Sequence, residues 1–131
     1  MIELNPPIRF SGIVVHGDKR GRQLGFPTAN LNVSPHTDVE YGVYASETTI
    51  LGNSAGIYLS VTSIGNRPTF YGGDSRIETH ILDFDRDIYD LEIEVCLLAF
   101  LRPERRFASI DDLIAAMKHD TLITRSRERL S

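Results

Sequence analysis

A mainly β fold, closed as a small antiparallel barrel and finished by one C-terminal helix, is what this 131-residue sequence predicts. Short runs rich in Val, Ile, Tyr and Thr, separated by turn residues, dominate the first hundred positions. No helical pattern alternates with them. A helical period emerges only after Ser109.

Each element has its own signal. The strand candidates are Ile8 to Val15, Gly42 to Ile50, Gly56 to Ser63, Arg76 to Phe84 and Leu91 to Phe100, with Pro6-Pro7 before the first. Leu91-Glu-Ile-Glu-Val-Cys-Leu alternates apolar and mostly acidic residues, the pattern of a strand with one wet face. Asn53-Ser54, Tyr71-Gly72-Gly73-Asp74 and Asp85-Arg86-Asp87 supply turns. Ser109 followed three residues later by Asp112 resembles a capping pair, and Ile110, Leu113, Ile114 and Met117 then fall at i, i+3, i+4 and i+7. That face is expected to pack on the barrel. Asp111 and Asp112 near the start and Arg125, Arg127 and Arg129 near the end suit the helix dipole.

Composition bounds the rest. The length suits one domain, residues 1–131, able to bury roughly two thirds of its unfolded surface. No apolar run approaches the ~20 residues of a membrane span, and Met1-Ile-Glu-Leu-Asn-Pro-Pro lacks the basic and apolar regions of a secretory signal. A cytoplasmic location is the default expectation, with no membrane contact. Net charge of −4 argues against a general nucleic-acid binder. Cys96 is the only cysteine and sits in an apolar run, which favours a buried structural thiol over a nucleophile. The four histidines lack metal-ligand spacing, and His80 reads as a strand residue with a local hydrogen bond.

The stretch from Gly17 to Asn30 holds glycines at 17, 21 and 25, the cations Lys19, Arg20 and Arg22, and the neutral oxygen donors Thr28 and Asn30. Glycines let backbone N–H groups turn toward an anion, and Thr28 and Asn30, two apart, point to one side of an extended chain. A hard cation accepts such oxygens. The spacing matches neither a P-loop nor a dinucleotide-binding loop. Taken alone, the stretch also fits a solvated hairpin loop, with Asn30 bonding its own backbone in a tight turn.

From His16-Gly17 through Leu24-Gly25-Phe26-Pro27-Thr28-Ala29-Asn30-Leu31 the sequence resembles the signature of riboflavin kinases. Ser63-Ile64-Gly65-Asn66-Arg67-Pro68-Thr69-Phe70, Glu78-Thr79-His80-Ile81-Leu82-Asp83-Phe84, and Leu101-Arg102-Pro103-Glu104 with Phe107 resemble later blocks of that family in the same order. The resemblance implies a six-stranded antiparallel barrel with a C-terminal helix, and transfer of the ATP γ-phosphoryl group to riboflavin, giving FMN and ADP. It implies Glu78 as the catalytic base, although a Glu in a strand is ordinarily a solvated residue. It places Thr28 and Asn30 at Mg²⁺ and the ATP phosphates, Gly17 and Arg22 in the loop over the nucleotide, and Ile81, Asp83 and Tyr89 on the adenine side. Arg102, Arg105, Phe107 and Asp112 fall toward the flavin; by residue type alone, Arg102 to Arg106 also reads as a solvated basic loop.

One departure stands out. The family usually has Tyr-Gly where this chain has Tyr89-Asp90, which adds a negative charge near the nucleotide. If that position needs positive φ, Asp is among the few tolerable substitutes for Gly. Asp90 therefore keeps an alternative open, a flavin-binding sensor or storage module with little kinase activity. In many bacteria the kinase domain follows an FMN adenylyltransferase domain in one bifunctional FAD synthetase; 131 residues leave no room for that second domain, so the chain reads either as a stand-alone kinase or as the C-terminal part of such an enzyme. A monomer binding riboflavin and ATP is the expectation.

Overall fold

The computed structural model describes residues 1–15, 28–31, 39–52, 56–69, 72–84 and 86–130, with the side chains of 66–69, 72–75 and 128–130 outside that description. The expected turn at Asn53-Ser54 lies outside the described residues, as do Tyr71 and Asp85 of the other two expected turns. Six strands occur in the order β1 (Ile2–Val15), β2 (Ala29–Leu31), β3 (Gly42–Ile50), β4 (Gly56–Thr69), β5 (Gly72–Ile81) and β6 (Glu92–Pro103), followed by α1 (Ile110–Leu130). They pair antiparallel in the ring β1-β2-β5-β4-β3-β6, with β6 returning to β1. The six-stranded barrel and the C-terminal helix are both as expected.

Four boundaries differ from the sequence reading. Pro6-Pro7 lie inside β1, where the pairing with β6 shifts between Glu3 and Ile8; proline has no N–H for the ladder, so the two residues fall where pairing is interrupted. β4 and β5 form a longer ribbon than expected, paired out to Thr69↔Gly72, so Gly72 to Asp74 belong to a strand and not to a turn. β5 ends at Ile81 because Asp83 turns the chain with φ of 57°. β6 continues to Pro103, with irregular pairing to β3 between Val43 and Tyr44 and between Ala45 and Ser46.

The barrel interior has two chemical halves. Val14, Ile93, Val95 and Leu97 fill the β1 and β6 side, capped by Ile50, Ile64 and Ile77, all at most 1% exposed. Full burial of such side chains contributes about 1.5–3 kcal/mol each. The β3, β4 and β5 side instead carries Ser46, Thr48, Ser60, Thr62 and Thr79, each 0% exposed. Their hydroxyls form a closed ring: Ser46 to Ser60 at 2.7 Å, Ser60 to Thr48 at 2.8 Å, Thr48 to Thr79 at 3.5 Å, Thr79 to Thr62 at 2.9 Å and Thr62 to Ser46 at 2.7 Å. In a ring each hydroxyl can donate once and accept once. Among the described residues no buried side-chain nitrogen or oxygen lacks a partner. Cys96 is buried, and burial pushes its thiol pKa up, as suits a structural thiol.

Helix α1 starts as read: the Asp112 N–H donates to Ser109 Oγ at 3.1 Å. Its packed face is rotated from the expected one. Ile110 is 52% exposed, whereas Ala116, Asp120 and Thr124, each four apart, are buried, with Leu113 and Met117 partly so. The contacts of α1 run to β3 and β4. Further along, Arg125 donates to both carboxylate oxygens of Asp83 and Arg127 to those of Glu3, so these cations tie the helix to the barrel.

Two predictions follow from this packing. Thr62→Val removes a ring hydroxyl and leaves Ser46 and Thr79 one partner short, at an expected cost of about 1–3 kcal/mol in urea denaturation. The hydrogen bonds from Arg127 and Arg125 hold the Glu3 and Asp83 carboxyls below their ordinary pKa values. Their contribution is complete above the unfolded pKa of about 3.9–4.3 and is lost as pH falls through the lowered folded values. The melting temperature is therefore expected to stay level from about pH 7 to 5 and to fall below about pH 4, with a shallower fall in Glu3→Gln; identical acid profiles for the two proteins contradict this.

Candidate functional site

Strand β5 decides which side chains meet. Ile77, Thr79 and Ile81 point into the barrel and are at most 5% exposed. Strict alternation turns Arg76, Glu78 and His80 to the outer face. Opposite Glu78 stand Asn30 on β2 and Ser63 on β4, so the three residues form one row across adjacent strands. Arg76 Nη2 donates to Glu78 Oε1 and lies 3.5 Å from Asn30 Oδ1, the outer limit of a hydrogen bond.

This outer face is covered. A cavity of about 220 Å³ has Thr28, Ser63, Glu78 and His80 on its sheet side, Arg102 at the end of β6, Arg105 and Phe107 on the loop before α1, and Leu113, Met117, Asp120 and Thr121 on the helix. Gly42 helps set that loop: a Cβ there would stand 2.5 Å from the Arg102 carbonyl oxygen, so only glycine lets β3 approach β6 at this point. Arg102 is committed to the helix. Its Nε and Nη2 donate to Asp120 Oδ1 and Oδ2 at 3.0 and 2.8 Å, a two-pronged pair in which the Asp120 side chain is only 4% exposed. The guanidiniums of Arg102 and Arg105 lie 5.5 and 4.8 Å from the centre of the Phe107 ring. Asp120 thus fixes Arg102, and both cations flank the aromatic wall of the cavity.

A second cavity, about 320 Å³, is lined by Val14, Ala29, Thr79 and Ile81 from the strands and by Phe84, Arg86, Asp87, Ile88 and Tyr89 from the connection between β5 and β6. Thr28 also lines it, and among the described residues is the only one common to both cavities. The connection is held by a turn in which Tyr89 N–H donates to Asp87 Oδ1 at 2.9 Å and Asp90 N–H to the Val14 carbonyl at 2.9 Å. Asp90 has φ of 69°, so the position where a glycine was expected does require left-handed backbone. Aspartate adopts that conformation more readily than most side chains.

The structure therefore brings Thr28, Glu78, Arg102, Arg105 and Phe107 around one cavity, and Thr28, Ile81 and Tyr89 around the other. Asn30 lines neither, and joins Glu78 through sheet pairing and Arg76. Asp83 is not brought in; its carboxylate is 76% exposed and paired with Arg125. Asp112 lines a third, open cavity of about 490 Å³ with Arg105, Arg106 and His119. Gly17 and Arg22 lie outside the described residues.

Two residues at this site, Arg76 and Asp120, were missed from sequence. Arg76 is two before Glu78 and shares its face once a strand is assigned. Asp120 was visible as a carboxylate three and seven residues beyond the apolar Met117 and Leu113. For a divalent cation, the described residues hold no group of three or more His, Cys, Asp or Glu. The oxygens of Thr28, in the cavity, and of Asn30, beside Glu78 in the sheet, are neutral hard donors of the kind that suits Mg²⁺ carrying its own nucleotide phosphates; Ser63 and Thr121 on the cavity wall are others.

The family described as Flavokinase: Riboflavin kinase matches residues 4–127. A bifunctional riboflavin kinase/FMN adenylyltransferase of Escherichia coli K12 is 43% identical over 122 residues, which are 93% of this chain and 38% of that protein. The chain thus spans well under half the length of the curated relatives it matches. Among solved structures, a riboflavin kinase from Trypanosoma brucei superposes with a TM-score of 0.72 at 26% identity, covering 98% of this chain and 82% of that one. A Streptococcus pneumoniae chain described as a macrolide-efflux protein gives 0.80 at 38% identity, over 91% of this chain and 38% of that one.

Removing the counter-charge of Arg102 tests the geometry of the loop. Asp120→Ala is expected to cost about 3 kcal/mol in chemical denaturation, at the low end for a buried pair because Arg102 keeps 19% exposure. A loss under about 0.5 kcal/mol, the range of ordinary surface substitutions, contradicts the pairing.

Proposed function

The chain belongs to the riboflavin kinase family, and on that premise we propose that it transfers the γ-phosphoryl group of ATP to the 5′-hydroxyl of riboflavin, releasing FMN and ADP. The observation that carries the reading is Thr28, the shared wall of two cavities, one holding Glu78 and the other Tyr89. A two-substrate transfer needs donor and acceptor pockets that meet at one point.

In this reading the nucleotide base lies in the cavity lined by Ile81 and Tyr89, and its phosphates extend past Thr28. The flavin lies against Phe107, with Arg105 free of the bidentate pairing that holds Arg102 to Asp120. Arg102 acts by orienting that wall, and its remaining N–H groups face the cavity's polar ligand. Glu78 accepts the proton of the attacking hydroxyl, whose oxygen forms the new P–O bond as the bond to the β-phosphate oxygen breaks. Thr28 and Asn30 would hold Mg²⁺ with ATP, which supplies neutralisation of phosphate charge when bound. Asp83 and Asp112 remain proposed neighbours of nucleotide and flavin, and Gly17 and Arg22 of the phosphates.

Residues 1–131 are read as one kinase domain, acting as a monomer in the cytoplasm, without nucleic-acid or membrane partners. No helix among the described residues is long and apolar enough to cross a membrane. The left-handed backbone at Asp90 supports kinase competence over the sensor alternative, since the turn survives the loss of glycine.

The test is incubation with riboflavin, ATP and Mg²⁺, with separation of the flavins by chromatography. Metal-dependent FMN is expected. Glu78→Gln is expected to lower kcat by ~10²- to 10⁴-fold while riboflavin and ATP binding change little. Undiminished turnover in that variant removes Glu78 from the mechanism.

A further inference from the structure

We propose that Arg76 is a positioning residue: its guanidinium supplies the counter-charge that lets the Glu78 carboxylate and the nucleotide phosphates occupy one site. The inference rests on the kinase reading above and adds a residue to it. The chemistry poses a problem that the geometry answers. A base must be ionised to accept a proton, yet a carboxylate beside a polyphosphate is repelled by it, at an effective dielectric near 20 by on the order of tenfold or more in affinity.

Arg76 is placed to offset that repulsion. It shares the outer face of β5 with Glu78, donates to Glu78 Oε1 and reaches toward Asn30 Oδ1 at 3.5 Å, so one guanidinium touches both the proposed base and a proposed phosphate and metal ligand. The two side chains are 25% and 28% exposed, which leaves the pair less screened than a fully solvated one. A purely structural role fits poorly. The ion pair itself lies within one strand, two residues apart, and only the 3.5 Å contact to Asn30 reaches the neighbouring β2, unlike Arg127 with Glu3 or Arg102 with Asp120, which tie the helix to the barrel. What the pair does fix is the direction of the Glu78 carboxylate. A guanidinium has five N–H donors, and both contacts use Nη2, so contact with Glu78 leaves donors for phosphate oxygens.

The experiment measures binding of ADP, with and without Mg²⁺, by calorimetry in the unaltered chain, Arg76→Gln, Glu78→Gln and the double variant. Arg76→Gln is expected to weaken ADP about tenfold, with riboflavin affinity, read by flavin fluorescence, unchanged within about threefold. Glu78→Gln is expected to bind ADP as well as or better than the unaltered chain. The double variant is expected to recover to within about threefold of the unaltered chain, because the repelling carboxylate and the charge that offsets it are both gone. Arg76→Lys keeps the charge and is expected to keep most of the affinity.

Arg76→Gln within twofold of the unaltered chain overturns the proposal, as does a double variant as weak as Arg76→Gln. Should Arg76→Gln not fold, Glu78→Gln and Arg76→Lys still decide it: weaker ADP binding in the former, or tenfold loss in the latter, overturns it. Turnover of Glu78→Gln judges the base separately, so an intact charge coupling with undiminished turnover removes only the base. Absence of ADP binding by the unaltered chain overturns both.

Discussion

Closing six strands into a ring forces every side chain of β5 either into a narrow interior or onto the outer wall. That constraint organises the molecule. Inside, the space at β3, β4 and β5 is filled by Ser and Thr, whose small hydroxyls satisfy one another in a ring. Outside, the residues alternating with Ile77, Thr79 and Ile81 are Arg76, Glu78 and His80, and the row through Asn30, Glu78 and Ser63 is fixed by the same ladder. A register slip of one residue would exchange Glu78 with Thr79, burying a carboxylate and breaking the hydroxyl ring together. The buried ring and the outward-facing Glu78 therefore specify each other's register.

The helix converts this wall into a cavity. Asp120 is nearly buried and would be costly without a partner, and Arg102 reaches it from the end of β6, past the point where Gly42 admits close approach of the chains. The Phe107 ring then sits beside two guanidiniums, one held by Asp120 and one on the loop. Arg125 with Asp83 and Arg127 with Glu3 secure the far end of α1 at exposed positions. The inner pair fixes geometry and the outer pairs contribute modestly to attachment.

Much of this was legible in the chain. Gly42 to Ile50 formed a strand with those bounds, Ser109 capped the helix, and Asp90 took the positive φ its place in the turn required. Local chemistry determines each of these. The misread elements depend on partners. β2 is three residues long, Ala29–Leu31, and exists because β1 and β5 flank it. Gly72 to Asp74 look like a turn by composition, but β4 pairs with them and carries the ribbon onward. The apolar spacing Ile110, Leu113, Ile114, Met117 marks the helix correctly and its packed face only partly, because an acid, Asp120, and a threonine, Thr124, take the buried positions. Asp120 can do so only with Arg102 opposite it, eighteen residues back, and Thr124 by donating its hydroxyl to the Asp120 carbonyl at 2.8 Å.

Two of the acids around the Glu78 cavity share a pattern that bears on phosphate chemistry. Glu78 is paired with Arg76 and Asp120 with Arg102, so neither presents an uncompensated negative charge. The two pairs are nevertheless unequal. Asp120 takes both prongs of Arg102 in a nearly buried setting, which fits a permanent strut. Glu78 shares a single nitrogen of Arg76 with Asn30, and the side chains of the Arg76–Glu78 pair are about a quarter exposed. A guanidinium used through one nitrogen keeps donors for an anion. The weaker pair is thus the one able to exchange partners when a charged substrate arrives, which is what the role proposed for Glu78 beside a transferring phosphoryl group requires.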